Sequence, residues 1–249
     1  MSISANITRP LHVPSVAPPP PAWPWSRWKA HFERNRQRPF PAFDEAVDLP
    51  PAVASQLALS LARFQIGETG EGRIVGDLAR SRMHGVDDDY RRAVALFIAE
   101  EGRHAHILAS LVRALGGELL ETTWTARAFA SVRHLGGIRF KLLAMFAAEV
   151  VGAGFYRGLA AHLPPGATRA ALEQMAGDEQ AHLRFHRRFF AIQAPGGWRR
   201  LLFLVAWVPL AHAASLMVLW DHRQTLRALQ IPRRQMAARL RALVAEGAR

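Results

Sequence analysis

Apolar residues along most of this chain recur every three or four positions, the spacing that gathers them on one face of an α-helix. Four long stretches follow the pattern, each bounded by residues that start or stop helices. The first covers about 50–83, with Asp48 as N-cap and Pro50 and Pro51 in its first turn. The second, about 87–115, opens on Asp87, Asp88 and Asp89, whose charges suit a helix N-terminus, and closes on Gly116 and Gly117. The third, about 137–162, stops at Pro164 and Pro165; the fourth, about 167–193, stops before Pro195, Gly196 and Gly197. No alternating run is flanked by hairpin-turn residues, so strands are not expected. Short loops join the first helix to the second and the third to the fourth, which makes two antiparallel hairpins, and residues 116–136 form a longer connection between them. The predicted fold class is all-α: a four-helix bundle with one crossover connection, plus extra C-terminal helices.

The pattern fails at both ends. Eleven of the sixteen prolines lie within residues 1–51, and the run Pro18–Pro21 with Trp23, Trp25 and Trp28 nearby reads as an extended leader over 1–47, either a loose tail or a strap that packs its tryptophans on the body. The bundle itself occupies 48–195. Beyond it, 196–249 holds the uncharged stretch Leu201–Trp220 and a short basic helix over about 232–247. The stretch is long enough to cross a membrane, but Pro209 and His212 interrupt it; a buried fifth helix, a segment dipping into one leaflet and a true span all fit.

Composition narrows the chemistry. The chain has 249 residues, half of them hydrophobic, and no cysteine, so thiolate metal sites, iron–sulfur clusters, disulfides and cysteine nucleophiles are excluded. Any metal must sit on His, Asp and Glu. The net charge of +12 comes almost wholly from arginine and suits an anionic partner such as a membrane surface or an acidic carrier protein. The arginines are dispersed, with no RNA-binding module, which argues against nucleic acid. The N-terminus lacks the pattern of a secretory signal, and the expected location is cytoplasmic, at most peripheral to a membrane.

The second helix contains Glu101 and His104, three positions apart and therefore about 60° apart on one face. Glu179 and His182 repeat the pair on the fourth helix, 78 residues later, and an acid precedes the glutamate in both copies. A dinuclear carboxylate site then needs one more glutamate from each remaining helix. Glu149 is the sole candidate on the third, in an apolar stretch where a bare carboxylate is costly to bury. On the first helix Glu68 is the choice, because aligning "GETGEGRIVGDLA" with the third helix places it on Glu149; Glu71 is the reserve. The predicted grouping is Glu68, Glu101 and His104 around one ion and Glu149, Glu179 and His182 around the other, with one or more glutamates bridging. These six are the residues expected to carry the reaction. Oxygen-rich donors with one imidazole per ion fit two iron ions, Fe/Fe or Mn/Fe. Glu100 and Asp178 are candidates to accept the second N–H of a ligand histidine. His106 should face away; His186, one turn after His182, reads as a helix-surface histidine with the mouth of the site as the alternative, and Tyr156, two turns beyond Glu149 on a similar face, reads as a packing residue with a place near the site as the alternative.

The motifs "AEEGRHAHIL" and "GDEQAHLRF" resemble those of the ferritin-like di-iron carboxylate superfamily, specifically the acyl-carrier-protein desaturases and bacterial multicomponent monooxygenases, while "GETGEGRIVGDL" resembles the first-helix stretch of the demethoxyubiquinone hydroxylases. The resemblance covers about 60–190. It implies a ferritin-like bundle and a non-haem di-iron oxidase or monooxygenase that uses dioxygen and an electron donor to hydroxylate, desaturate or oxidise an apolar or lipid-like organic substrate. The competing expectation is iron or peroxide handling as in ferritins and rubrerythrins. A small oligomer such as a homodimer fits the first reading, a closed cage the second.

Overall fold

A computed structural model describes residues 23–43, 49–69, 72–134 and 136–249. Among these residues there are ten α-helices and no strand. The four bundle positions are filled by α2 (Pro51–Glu68) continued by α3 (Arg73–Arg80), α4 (Asp88–Ala114), α6 (Ile138–Ala160) and α7 (Ala167–Gln193). The remaining helices are α1 (Trp25–Arg36), α5 (Trp124–His134), α8 (Gly197–Asp221), α9 (Arg223–Ala228) and α10 (Arg233–Gly247). Two hairpins, α2 with α4 and α6 with α7, pack into one core, in which Leu57, Leu61, Leu111, Phe146, Leu159 and Phe189 are all buried.

Three of the four bundle helices, α4, α6 and α7, match the expected limits closely. Asp87 caps α4, its carboxylate accepting the Tyr90 N–H at 2.8 Å, and α7 runs over 167–193 as read from its flanking Pro and Gly residues. The first helix does not run unbroken over 50–83. It stops at Glu68, where Thr69 turns back to donate its N–H and its hydroxyl to the Ile66 carbonyl, and resumes at Arg73. The sequence there carries Gly67, Gly70 and Gly72, and each glycine costs a helix about 1 kcal/mol relative to alanine. Asp48, the expected cap, lies outside the described residues. The connection over 116–136 is not an open loop, since α5 lies within it.

The leader is a strap, but a helical one. Trp25, Trp28 and Phe32 of α1 are buried against α4 and α7, with Trp25 ring to ring with Tyr90 at 4.7 Å and donating its indole N–H to the Gly85 carbonyl at 2.8 Å. Aromatic burial on one face stabilises a helix that its low apolar content would not. The proline run Pro18–Pro21 lies outside the described residues.

The uncharged C-terminal stretch forms α8, half covered and half bare. Its inner face is held by Trp207, which is fully buried, stacks on Phe146 at 4.1 Å and donates to the Val244 carbonyl at 3.1 Å. Its outer face leaves Leu201, Val205 and Leu216 more than 60% exposed (62%, 62% and 69%). Among the described residues α8 alone is long and apolar enough to cross a membrane. Helix α10 lies across α6, where Gly154 and Gly158 allow close approach: a Cβ on Gly154 would sit 2.5 Å from Leu240 Cδ2.

Replacing Gly154 with valine should force Leu240 out of this contact. We expect a loss of about 1–3 kcal/mol, read as a lower denaturant midpoint at unchanged slope.

Candidate metal centre

Eight ionisable side chains meet at mid-bundle, and the helical period explains why. On α4, Glu101 and His104 share the inward face while Glu100 lies about 100° further round; on α7, Glu179, His182 and Asp178 repeat the arrangement. Glu149 enters from α6, and Glu68 enters from the last residue of α2, where the chain turns. Glu101, His104, Glu149, Glu179 and His182 are all buried and Glu68 is half-buried.

The six predicted donors form two overlapping groups. Glu68, Glu101, His104 and Glu179 can each offer an atom within 4.8 Å of the others, and so can Glu101, Glu149, Glu179 and His182. Glu101 and Glu179 belong to both groups, so these two carboxylates occupy the bridging place that the expected three-and-three grouping left open to one or more glutamates. His104 Nδ1 lies 3.2 Å from Glu179 Oε1 and 3.8 Å from Glu101 Oε2. His182 Nδ1 lies 2.9 Å from Glu101 Oε1, 3.1 Å from Glu149 Oε2 and 3.5 Å from Glu179 Oε2. Yet Glu101 Oε1, Glu179 Oε1 and His104 Nδ1 are buried with no hydrogen-bond partner. Lone pairs converge there without a donor geometry to satisfy them, which is how carboxylate and imidazole groups are disposed around a cation.

The outward nitrogens are satisfied, and across the helix pair. His104 Nε2 faces Asp178 Oδ2 at 3.3 Å and His182 Nε2 faces Glu100 Oε2 at 3.0 Å, so each helix's extra acid orients the other helix's imidazole. Glu100 and Asp178 are buried, not solvated. Their charge is answered by Arg38, whose Nη2 donates to Glu100 Oε1 at 2.7 Å and Asp178 Oδ2 at 2.8 Å. Arg103 in turn fixes the segment carrying Arg38, donating to the carbonyls of Arg38 and Pro39 and stacking on Phe40 at 4.3 Å.

Protonation follows from crowding. Burial, then the charges of Glu101 and Glu179, push Glu68 well above the usual carboxylate range; burial, then Glu179 and Glu101, does the same to Glu149. Burial opposes ionisation of Glu101 and Glu179 too, but the adjoining imidazoles outweigh it at Glu101, which falls well below its ordinary value, and Glu149, His104 and His182 beside Glu179 outweigh it there, holding that carboxyl at about 2. Both ligand-candidate histidines are raised: burial pulls them down, and Asp178 with Glu101 and Glu179 overcomes it at His104, Glu101 with Glu100 at His182. Proton affinity is therefore raised at Glu68, Glu149, His104 and His182 and lowered at Glu101 and Glu179.

Several expectations change. Tyr156 is not merely packing, because its hydroxyl donates to Glu68 Oε1. His186 is not on the surface: one turn beyond His182 it stays on the inner face, 1% exposed, with both ring nitrogens unpaired, and burial followed by the charge on His182 lowers it to about 3. His106 does face outward, against Phe40 at 4.8 Å. Glu71 lies outside the described residues. Sequence reasoning missed Arg38 altogether, although two buried acids beside the histidines imply a cation. It also missed Gly152, where a Cβ would lie 3.1 Å from Glu179 Cδ; only a bare backbone leaves that carboxylate its place.

A cavity of about 210 Å³ adjoins the cluster. Glu68, Glu101, Glu149 and Glu179 form its floor, and Phe64, Phe129, Met145, Leu210 and Met217 contribute to apolar walls between α5, α6 and α8. Its far end is polar, with Arg63 and Asp221 paired and His222 hydrogen-bonded to Ser60.

No protein family and no curated protein matches the chain by sequence. Solved structures do match in fold. A tyrosine-to-phenylalanine variant of an R2-like ligand-binding oxidase with anaerobically reconstituted Mn/Fe cofactor superposes with a TM-score of 0.64 at 14% identity, covering 91% of this chain and 93% of that one. A valine-to-isoleucine variant of an R2-like ligand-binding oxidase, with aerobically reconstituted Mn/Fe cofactor, gives the same TM-score, identity and coverage. An alanine-to-phenylalanine variant gives 0.63 at 13% identity, over 91% and 92% of the two chains. The fold is thus the all-α, ferritin-like helical bundle that the sequence motifs implied.

Cations compete with protons for these carboxylates and imidazoles, so affinity should rise with pH. We expect Fe(II) or Mn(II) titration in weak buffer at neutral pH to release protons, and the dissociation constant to climb as pH is lowered. Arg38→Ala should weaken metal binding roughly 10–100-fold, measured by competition with a chromophoric chelator, by leaving Glu100 and Asp178 free to turn from the histidines.

Proposed function

We propose that the protein is a dinuclear oxidase that uses dioxygen to oxidise an apolar organic molecule. The observation that carries this reading is a pair of four-donor groups sharing Glu101 and Glu179, set directly on the floor of an apolar cavity. Glu68, Glu101, Glu179 and His104 would hold one ion, and Glu101, Glu149, Glu179 and His182 the other. Three carboxylates and one imidazole per ion suit iron or manganese, and the Mn/Fe cofactor of the R2-like ligand-binding oxidases is consistent with either Fe/Fe or Mn/Fe here. Bound metal would supply redox chemistry and dioxygen activation.

The chain's own residues do the rest. Asp178 and Glu100 hold the Nε2 protons of His104 and His182, which turns both Nδ1 atoms inward. The Tyr156 hydroxyl holds Glu68 at the turn after α2. Phe64, Phe129 and Met145 exclude water from the carboxylate floor, and the cavity takes a small apolar molecule or one end of a longer one. Two of its wall residues, Ala213 and Ala214, lie on α8, whose outer face is bare and apolar. A substrate dissolved in lipid could therefore be taken up beside α8 by a protein lying on a membrane surface. Electrons must come from a separate donor.

The purified protein loaded with Fe(II) should consume oxygen when offered a panel of lipids and quinones, hold about two metal ions per chain and run as a small oligomer. Consumption no greater than that of a Glu101→Ala, Glu179→Ala double variant would sink the reading, and a shell loading hundreds of irons would replace it with storage. Ala214→Phe, which fills the cavity from α8, should abolish substrate-dependent oxygen uptake while metal content stays unchanged.

A further inference from the structure

A second cleft, on the opposite side of the strap from Arg38's contacts, has no part in the chemistry above. It has a volume of about 190 Å³ and lies where α1, α7, α8 and α10 converge. Arg184, Arg187 and Arg188 line it from α7, at the three- and four-residue spacing that puts them on one face, and Arg200 lines it from the first turn of α8. Arg249 is a fifth lining arginine, and one carboxylate side chain, Glu246, pairs with Arg187 at 2.8 Å. Arg200 donates to the Ala248 carbonyl. Arg184 and Arg188 have no hydrogen bond or ion pair with any described residue.

The cleft also collects N–H donors that lack acceptors. Trp23 Nε1, Trp28 Nε1 and Arg188 Nε are buried and unpartnered among the described residues, and all three side chains line it. Trp28 is only 4% exposed, so its indole N–H cannot rely on bulk solvent. An unpaired buried donor costs roughly 1–3 kcal/mol, and three in one cleft beside two guanidinium groups without an ion pair, Arg188 resting on the Trp25 ring at 5.9 Å and Arg184 within the field of Glu246, favour an acceptor-rich anion. Arginine forks match the oxygens of a phosphate group two at a time, and the aromatic walls of Trp28 and Phe203 would border the group that phosphate is attached to.

We propose that this cleft is a binding site for a phosphate ester, seated on Arg184 and Arg188 with the indole N–H of Trp28 as a further donor. A small soluble phosphate and the headgroup of an anionic phospholipid share this chemistry. The site does not depend on the metal centre, and its ligand would tie α1 to α7 and α8.

The test uses the full chain. Calorimetric titration with inorganic phosphate and with a nucleoside monophosphate forms one arm; flotation with phosphatidylcholine vesicles, with and without phosphatidic acid, forms the other. Saturable binding in the first arm identifies a soluble phosphate, and phosphatidic-acid-dependent flotation alone identifies a headgroup. In either case Arg184→Gln with Arg188→Gln should weaken binding at least tenfold. Trp28→Phe, which keeps the ring and removes the donor, should weaken it about threefold to tenfold. Arg233→Gln with Arg234→Gln, equal in charge but exposed on α10, should change it little. Unchanged helical circular dichroism and metal content in each variant separate lost binding from lost folding. Absence of saturable binding in both arms, or equal weakening by the two double variants, would overturn the proposal.

Discussion

The reciprocal pairing of α4 with α7 is the constraint on which the rest of this structure depends. Each helix carries an acid that faces the other's histidine, Asp178 to His104 and Glu100 to His182, and each contributes a glutamate to both four-donor groups. A slip of one residue along either helix would rotate its donors by about 100° and break all of these contacts together. The register of the bundle is therefore set by polar groups, while the aromatic and aliphatic core around them supplies the driving force for burial. Burying so many ionisable groups costs several kcal/mol per ion unless each finds a partner, and the pairing across the helices is what makes the arrangement tolerable.

That requirement reaches beyond the four bundle helices. Glu100 and Asp178 cannot both be buried as anions without a cation, and the guanidinium that pairs directly with both comes from outside α4 and α7. Arg38 comes from the segment after α1, and it is brought there because Trp25, Trp28 and Phe32 anchor the strap over the α4–α7 seam. Arg103 then pins the strap's end through two backbone carbonyls. Farther along the chain, α8 and α10 are wedged against α6 by Trp207 and by the close approach over Gly154, which places Leu210 and Met217 as walls of the cavity above the carboxylates. Both appendages are thus parts of the centre's surroundings, one electrostatic and one apolar.

The amino-acid sequence by itself determined which residues could form the cluster. A repeated Glu-x-x-His pair, a lone glutamate in an apolar helix and stop signals at Pro164, Pro195 and Gly116 are local features, and helical geometry converts local spacing into a shared face. It also fixed the limits of α4 and α7, whose caps are written in adjacent residues. Only the tertiary structure decided what depends on residues distant in the chain: that Glu101 and Glu179 are shared between two positions, that Tyr156 holds Glu68, that His186 is buried under Phe146, and that Arg38 balances two acids 62 and 140 residues away. The break after Glu68 is of the other kind, since Gly67, Gly70 and Gly72 stand in the sequence there, and α5 is the element within the long connection that packing against α6 and α8 positions.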